Sequence, residues 1–436
     1  MRTPSFVAAA AVAAALSGGG ARASVFDAYG FGARAAAMAN AHAAFADDYT
    51  GVFYNPATLT VHKSPHVGTG LTLIVPRLAI EHDTAPGEEA PVDRLPQTNV
   101  GIQLGLLFPL GGLVDNRFAL GAGLYLPTIQ VTRIDAVEAE TPHFYRYGAL
   151  PDKLALVLGA AFELHETVSI GVGYQILGSL DGSATVDLDL LTQRFTRRDL
   201  EVDVHADSGL IAGLLVRPWD TLRLGFSFRD ALQLRYDLVT DIGIEGVGRL
   251  VAHITGTSLY TPQQFTWAAA WDPVRPLTLT LDVVWSRWSL APDPTARFDI
   301  TVDGAPLGLG ALEADSAPVD LDAVDTVGPR LGVEWRVAEA WALRAGYALQ
   351  PTPLPAQTGR SNALDSDAHQ VGIGVGYSFP DPLALHDAPL TIDLAGQLNL
   401  LGARRHAKAN REDAVGSLDA GGPIWHLALT LRHDFR

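Results

Sequence analysis

The chain contains no cysteine. That absence removes disulfides, thiolate metal centres and thiol nucleophiles together. Long apolar runs are missing too: beyond the N-terminal segment no stretch reaches about 18 uninterrupted apolar residues, so no transmembrane helix is expected. Basic residues are scarce, with 31 Lys and Arg against 48 Asp and Glu and a formal net charge of -17. Such a chain repels phosphate, which argues against a nucleic-acid partner. The 13 histidines form no HExxH motif and stand in no triad order. The acidic stretch from Asp315 to Asp325, DSAPVDLDAVD, lacks the glycine and the ligand spacing of a calcium loop. With no catalytic or metal-ligating pattern, the sequence points away from an enzyme and calls for no cofactor and no metal.

What is abundant is glycine, at 43 residues, and apolar side chains, at 48%. Mean hydropathy is positive despite the acidity. This combination suits a β-barrel whose outer face meets lipid while acidic groups sit in loops and lumen. A length of 436 residues would ordinarily suggest two or three soluble domains, and one large barrel is the exception.

Residues 1–23 read as a signal peptide. Arg2 supplies the positive start, Phe6 to Leu16 is an apolar run too short to span a bilayer, and Ala21-Arg22-Ala23 fits a cleavage site. Residues 24–62 follow as a plug, or hatch. From Tyr29 to Thr60 the chain is rich in Gly and Ala and too irregular for one helix or strand. It carries the acidic pair Asp47-Asp48 and the triplet Asn55-Pro56-Ala57.

Residues 63–436 read as the barrel. From His66 onward the dominant period is 2. Val168, Ile170, Val172, Tyr174 and Ile176 form one apolar row, and Leu277, Leu279, Leu281, Val283 and Trp285 another. About fourteen such rows are present, an even number as single-chain bacterial barrels require. The alternate positions hold Gly, Ser, Thr, Gln and charged residues, among them Asp282, Arg330, Glu334, Arg336 and Arg344. Short links, such as His165-Thr167 and Ala338-Ala340, alternate with long polar ones, such as Gly178-Asp199, Asp230-Thr261 and Ser289-Thr326. An outer-membrane barrel shows this alternation, with short periplasmic turns and long external loops. Trp219, Trp271, Trp335 and Trp341 fall beside the short turns, where an aromatic girdle belongs.

The order Gly30-Phe31-Gly32-Ala33-Arg34-Ala35, Ala46-Asp47-Asp48, Tyr54-Asn55-Pro56-Ala57 resembles the N-terminal hatch of the FadL family of outer-membrane transporters. The segments Tyr260-Thr261-Pro262-Gln263-Gln264-Phe265 and Arg344-Ala345-Gly346-Tyr347 are similar to later strands of that family. The resemblance implies an all-β, transmembrane antiparallel barrel of about fourteen strands with the hatch inside its lumen. It implies passive uptake of long-chain fatty acids or, in some branches, aromatic hydrocarbons. Two features depart from the family. The chain ends Asp434-Phe435-Arg436 rather than on the aromatic, and the stretches Arg133-Pro151 and Gly178-Arg198 are polar where fatty-acid members carry hydrophobic inserts.

Candidate sites follow. Asp47 and Asp48 can pair with inward arginines, and Asn55-Pro56-Ala57 makes a rigid bend, since proline fixes its own φ and pushes its predecessor to extended geometry. A buried carboxylate ligand needs a cation, for which Arg330, Arg336 and Arg344 are candidates, although ion pairs with Glu334 and Asp282 compete. Phe26 lines the pocket if the mature N-terminus lies inside. Pro127 cannot donate to a ladder and marks either a kink in its strand or that strand's outer end. The expected partners are a hydrophobic small-molecule ligand, outer-membrane lipid and the barrel-assembly machinery, with the chain acting as a monomer.

Overall fold

The computed structural model describes residues 25–83, 91–111, 116–129, 139–148, 153–189, 194–244, 248–293, 295–303, 312–315, 319–382, 388–410 and 413–435. The signal peptide expected over residues 1–23 lies outside them. Fourteen strands form a closed antiparallel ring. In chain order they are β1 (His66–Pro76), β2 (Asn99–Pro109), β3 (Phe118–Pro127), β4 (Ala155–His165), β5 (Val168–Asp189), β6 (Arg194–Trp219) and β7 (Leu222–Arg229). Then come β8 (Gln264–Val274), β9 (Leu277–Ser286), β10 (Thr326–Ala338), β11 (Trp341–Gln350), β12 (Ala368–Phe379), β13 (Leu390–His406) and β14 (Leu418–Asp434). The ring closes where β1 meets β14, with His66 opposite Asp434 and Pro76 opposite Ile424. Closure leaves no barrel edge with unpaired backbone groups in the membrane. No described helix is long and apolar enough to cross a membrane.

The period-2 rows face outward. On β5, Ile170, Val172 and Tyr174 are 42%, 48% and 49% exposed, while Ser169 between the strands' apolar rows is buried. Such exposure would be a liability in water. Covering a half-exposed aliphatic side chain with hydrocarbon is worth about 1 kcal/mol, so lipid turns this face into a favourable contact surface. Trp219, Trp271, Trp335 and Trp341 all stand exposed at the short-turn ends. Trp341 rests on Tyr377 with ring centroids 4.4 Å apart.

Three of the expected long loops contain sheet instead. Strands β5 and β6 stay paired far beyond a bilayer-spanning length, from Val168 opposite Val216 to Asp189 opposite Arg194. A hairpin of Leu232–Ile244 and Gly248–Thr261 extends this platform, running parallel to the outer half of β5 with Leu238 opposite Gly182. Arg297–Asp303 and Leu312–Asp315 add two further strands. Leu232, Leu234 and Tyr236 are buried and alternate with polar residues, a period-2 signal that reading the whole stretch as one polar link passes over.

A second external element crosses the barrel mouth. His143–Phe144, after β3, pairs in parallel with Ala363–Leu364, after β11. These two connections lie on opposite sides of the ring. Arg146 and Asp365 join them, Nε to Oδ2 at 2.7 Å with both side chains buried, and Arg146 also donates to the carbonyl of Ser366 at 2.8 Å.

The N-terminal segment fills the lumen beneath. It comprises short helices α1 (Val25–Tyr29), α2 (Ala33–Ala37) and α3 (Gly51–Tyr54), then a 3-10 turn over Pro56–Thr60. From residue 25 to 60 only Asp27 and Asp47 are not fully buried. Gly30 and Gly32 separate α1 from α2 at φ of 90° and 84°, a region that L side chains avoid. Inward barrel glycines let the segment approach closely. A Cβ at Gly105 would sit 1.8 Å from the Tyr49 ring, and one at Gly171 would sit 2.4 Å from the backbone of Ala57.

Candidate functional site

Helices this short cannot satisfy their own ends, so wall side chains do it. The Gly32 and Ala33 amides at the start of α2 donate to Gln103 Oε1 at 2.7 Å and Thr430 Oγ1 at 2.9 Å. The amides of His42 and Ala43 both donate to Asp282 Oδ2, at 2.9 and 3.0 Å. The Tyr49 amide donates to His66 Nε2 at 2.8 Å. Polar residues on the inward face of the strands thus serve as the hatch's hydrogen-bonding shell.

The Asn55-Pro56-Ala57 bend sits against β5 and β6. Asn55 is extended, with φ -164° and ψ 101°, as its following proline demands. Its Oδ1 accepts from the Ala57 amide at 3.1 Å, capping the 3-10 turn. Its Nδ2 donates to the carbonyls of Ala43 at 3.0 Å and Leu214 at 3.1 Å. One side chain therefore joins the turn, the hatch interior and β6. Pro56 and Ala57 lie over Gly171.

The acidic pair belongs to an ion network at the periplasmic end. Asp47 pairs with Arg34 of α2, which also reaches Glu334 at 2.8 Å and stacks over Phe45 at 4.3 Å. Asp48 pairs with Arg432 at 3.3 Å. Glu334 in turn holds Arg344 at 2.7 Å, and Arg344 holds Asp393 at 2.6 Å. The expected partners Arg330, Arg336 and Arg344 do not touch the acidic pair directly, because Arg34 and Arg432 stand in between. Burial opposes ionisation of Asp47 and Asp48, yet the neighbouring guanidiniums outweigh it and hold both carboxyls well below the usual range. Burial, reinforced by Arg34, pushes His42 down to about 4.

The three candidate arginines have separate fates. Arg344 is buried and fully engaged in the network. Arg336 lines the periplasmic cavity beside Arg34, Asp47 and Glu334. It is 63% exposed at the periplasmic rim, touching Glu334 at 3.4 Å. Arg330 is buried at the opposite, external side of the hatch and makes no ion pair within 4.0 Å among the described residues. Among the described residues its hydrogen bond goes from Nη1 to the carbonyl of Asn40, at 3.4 Å.

Arg330 lines a cavity between the hatch and the external crossing. Asp27 and Ala28 of α1 form the floor. Tyr260, Trp288, Val284 and Leu349 supply apolar wall, and Arg146 and Tyr147 lie at the roof. Asp27 is already occupied by Arg229 at 2.5 Å. Phe26 is not in the lining. It packs into an aromatic cluster with Phe31 at 4.5 Å and Phe53 at 5.0 Å, and so fixes α1 beneath the cavity. Pro127 is the last residue of β3, and the β2–β3 ladder runs to it in unbroken register.

A second cavity opens on the periplasmic side, lined by Arg34, Asp47, Asp48, Glu334, Arg432 and Asp434 among others. His62, His66 and Asp434 cluster there with ligand atoms within 4.8 Å. His66 Nε2 accepts the Tyr49 amide proton, which places the ring proton on Nδ1, facing Asp434. A neutral ring in that tautomer offers no lone pair toward a metal. Sequence reasoning missed Asp27, Arg146 and Tyr147 in the external cavity, and Arg229 that pairs with Asp27, and no local pattern marks them.

A closed fourteen-stranded barrel with an apolar outer band, a packed lumen and a cavity facing outward defines an outer-membrane channel for small molecules. Residues 9–397 match the family described as outer membrane protein transport protein (OMPP1/FadL/TodX), and the chain belongs to that family. It is 22% identical over 421 residues to alkane uptake protein A of Marinobacter nauticus, covering 89% of this chain and 86% of that one. Its fold is similar to a Pseudomonas aeruginosa FadL homologue, with a TM-score of 0.61 and 15% identity over 96% of this chain and 100% of that one. The toluene transporter TodX of P. putida gives 0.58 at 15% identity over 94% and 100%. The family consists of transport channels, and its place is the bacterial outer membrane.

Proposed function

We propose that this chain carries hydrophobic small molecules passively across the outer membrane, long-chain fatty acids foremost, with residues 24–62 acting as a movable hatch. The observation that carries this reading is the external cavity, which joins an aromatic and aliphatic wall to one buried guanidinium without a carboxylate partner. The cavity of about 80 Å³ takes the first methylenes of an apolar chain against Tyr260, Trp288, Val284 and Leu349, and an acid head is held by Arg330, whose unpaired burial is costly until an anion arrives. Beneath the hatch the route is ionic, lined by Arg34, Asp47, Asp48, Glu334 and Arg432. An apolar molecule gains nothing there, so passage requires the hatch to shift from the bend at Asn55, Pro56 and Ala57 and from the Asp47–Asp48 network. The chain works as a monomer inserted in outer-membrane lipid by the barrel-assembly machinery.

A second reading replaces the fatty acid with a neutral hydrocarbon. It is favoured by the relatives named for alkane uptake and toluene transport. Uptake of labelled fatty acid, alkane and toluene by cells lacking other importers separates the two. The first reading expects fatty acid uptake to fall with Arg330→Gln, and the second expects hydrocarbon uptake that ignores it. Equal uptake with and without the protein for all three ligands would leave a structural barrel.

A further inference from the structure

The hatch turn after α2 is unusual. Ala39 and Asn40 both adopt left-handed backbone, with φ of 48° and 63°, although neither is glycine. A left-handed residue with a Cβ costs about 1–2 kcal/mol, least for Asn and without relief for Ala. Each is completely buried, so the conformation is imposed by packing. Asn40 Oδ1 accepts from the Tyr54 hydroxyl at 3.0 Å, while its Nδ2 has no hydrogen-bond partner. Its carbonyl receives a hydrogen bond from Arg330, at a long 3.4 Å and with no other partner for that guanidinium among the described residues. The same Arg330 lines the external cavity. The two nearby carboxylates are committed elsewhere: Asp27 to Arg229, and Asp282 to the His42 and Ala43 amides.

From these contacts we propose that Arg330 couples cavity occupation to the hatch. An anionic head entering the cavity forms a charge-assisted pair with the guanidinium and draws it from the Asn40 carbonyl. The Ala39–Asn40 turn then loses the wall contact that helps hold it left-handed, and the hatch loosens at this point. Arg330 and Asn40 are positioning residues in this scheme, and the ligand class is a hydrophobic molecule ending in one carboxylate. A neutral hydrocarbon fills the same cavity without drawing on Arg330. This inference rests on the external cavity being the ligand site.

Because the chain has no native cysteine, a single Ala41→Cys reports hatch opening through its rate of maleimide labelling. Trp288 lies in the cavity, so its fluorescence reports binding, with Trp288→Phe as the control. The probes are hexadecanoate and hexadecane, applied to the full barrel in detergent. Both should quench Trp288, and only the acid should accelerate labelling. Arg330→Lys loses the guanidinium contact with the Asn40 carbonyl, so its labelling should already be fast without ligand and the acid should add no further acceleration. Ala39→Gly removes the left-handed cost of the closed turn and should reduce acid-induced labelling by about fivefold while binding is unchanged. Equal acceleration by acid and alkane, or full acid-induced acceleration in Arg330→Lys, would overturn the coupling. If neither probe quenches Trp288, the cavity is not the ligand site, and the reading beneath the inference falls with it.

Discussion

Replacing Arg34 with Met tests how the hatch is held. Arg34 is buried, pairs with Asp47 and with Glu334 at 2.8 Å, and lies over the Phe45 ring. Breaking a buried pair by removing one partner costs about 3–5 kcal/mol. Two features place this site at the low end. Glu334 retains Arg344 at 2.7 Å, and the Asp47 side chain is 28% exposed, so water reaches it once Arg34 is gone. Methionine keeps the apolar stem in place, so packing loss is small. The expected penalty is about 3 kcal/mol, including about 1 kcal/mol from the cation–π contact. That corresponds to a hatch-opening equilibrium raised on the order of 100-fold. Amide hydrogen exchange over residues 33–54 in the purified barrel reads it directly. Exchange should speed up there, while the strands, whose ladders do not involve Arg34, keep their protection and their heat-modifiable gel migration. Unchanged protection of residues 33–54 would refute the network as a clamp. Collapse of the whole barrel would refute the separation of hatch and wall.

Other outcomes follow from the same geometry. Arg336→Ala should change hatch exchange by no more than about 0.5 kcal/mol, because its contact is exposed and long. Asn55→Ala should cost about 2 kcal/mol of hatch docking, since a cap and two buried carbonyl contacts are lost together, and exchange of residues 51–60 checks it. Gly171→Ala should push the Pro56–Ala57 backbone off the wall yet leave the outward face untouched, so it should assemble normally but show raised uptake or leak of a hydrophobic dye. Hatch docking should also depend on pH with a definite sign. His42 has a folded pKa of about 4, below its usual 6.5, so the undocked state binds more protons between those values and docking weakens as pH falls through that window. Asp47 and Asp48 are depressed, so their contribution is present above the ordinary carboxylate range and is lost only in stronger acid. Titrating hatch exchange from pH 8 to 4 in wild type and His42→Asn should show a slope between about 6.5 and 4 that the variant lacks.

The barrel was legible in sequence because its signal is local. An outward residue on β5 or β9 needs only lipid, so every second position must be apolar whatever lies elsewhere in the chain. The Trp341 and Trp335 girdle was readable for the same reason. The external sheet was not: Leu232, Leu234, Tyr236 and Leu238 alternate with polar residues, but the stretch between two barrel strands reads as a single long polar link. The Asn55 bend was readable from the chemistry of a residue before proline, although its acceptor on β6, Leu214, was not. Arg34 and Glu334 are 300 positions apart, and nothing near either one names the other. Counting by twos gives Arg336 its face but not its depth. It stands at the periplasmic mouth, 63% exposed, and not deep in the lumen where a ligand head would sit.

The central claim is that a molecule in the external cavity passes only when the N-terminal segment moves. A Cβ on Gly225 would lie 3.3 Å from the Ala44 Cα, which brings hatch and β7 within disulfide range. In the cysteine-free chain, Ala44→Cys with Gly225→Cys should therefore lock the segment to the wall on oxidation. Uptake of labelled fatty acid by cells carrying the oxidised pair should fall to background and return on reduction. Full uptake through the fully cross-linked protein would contradict the account.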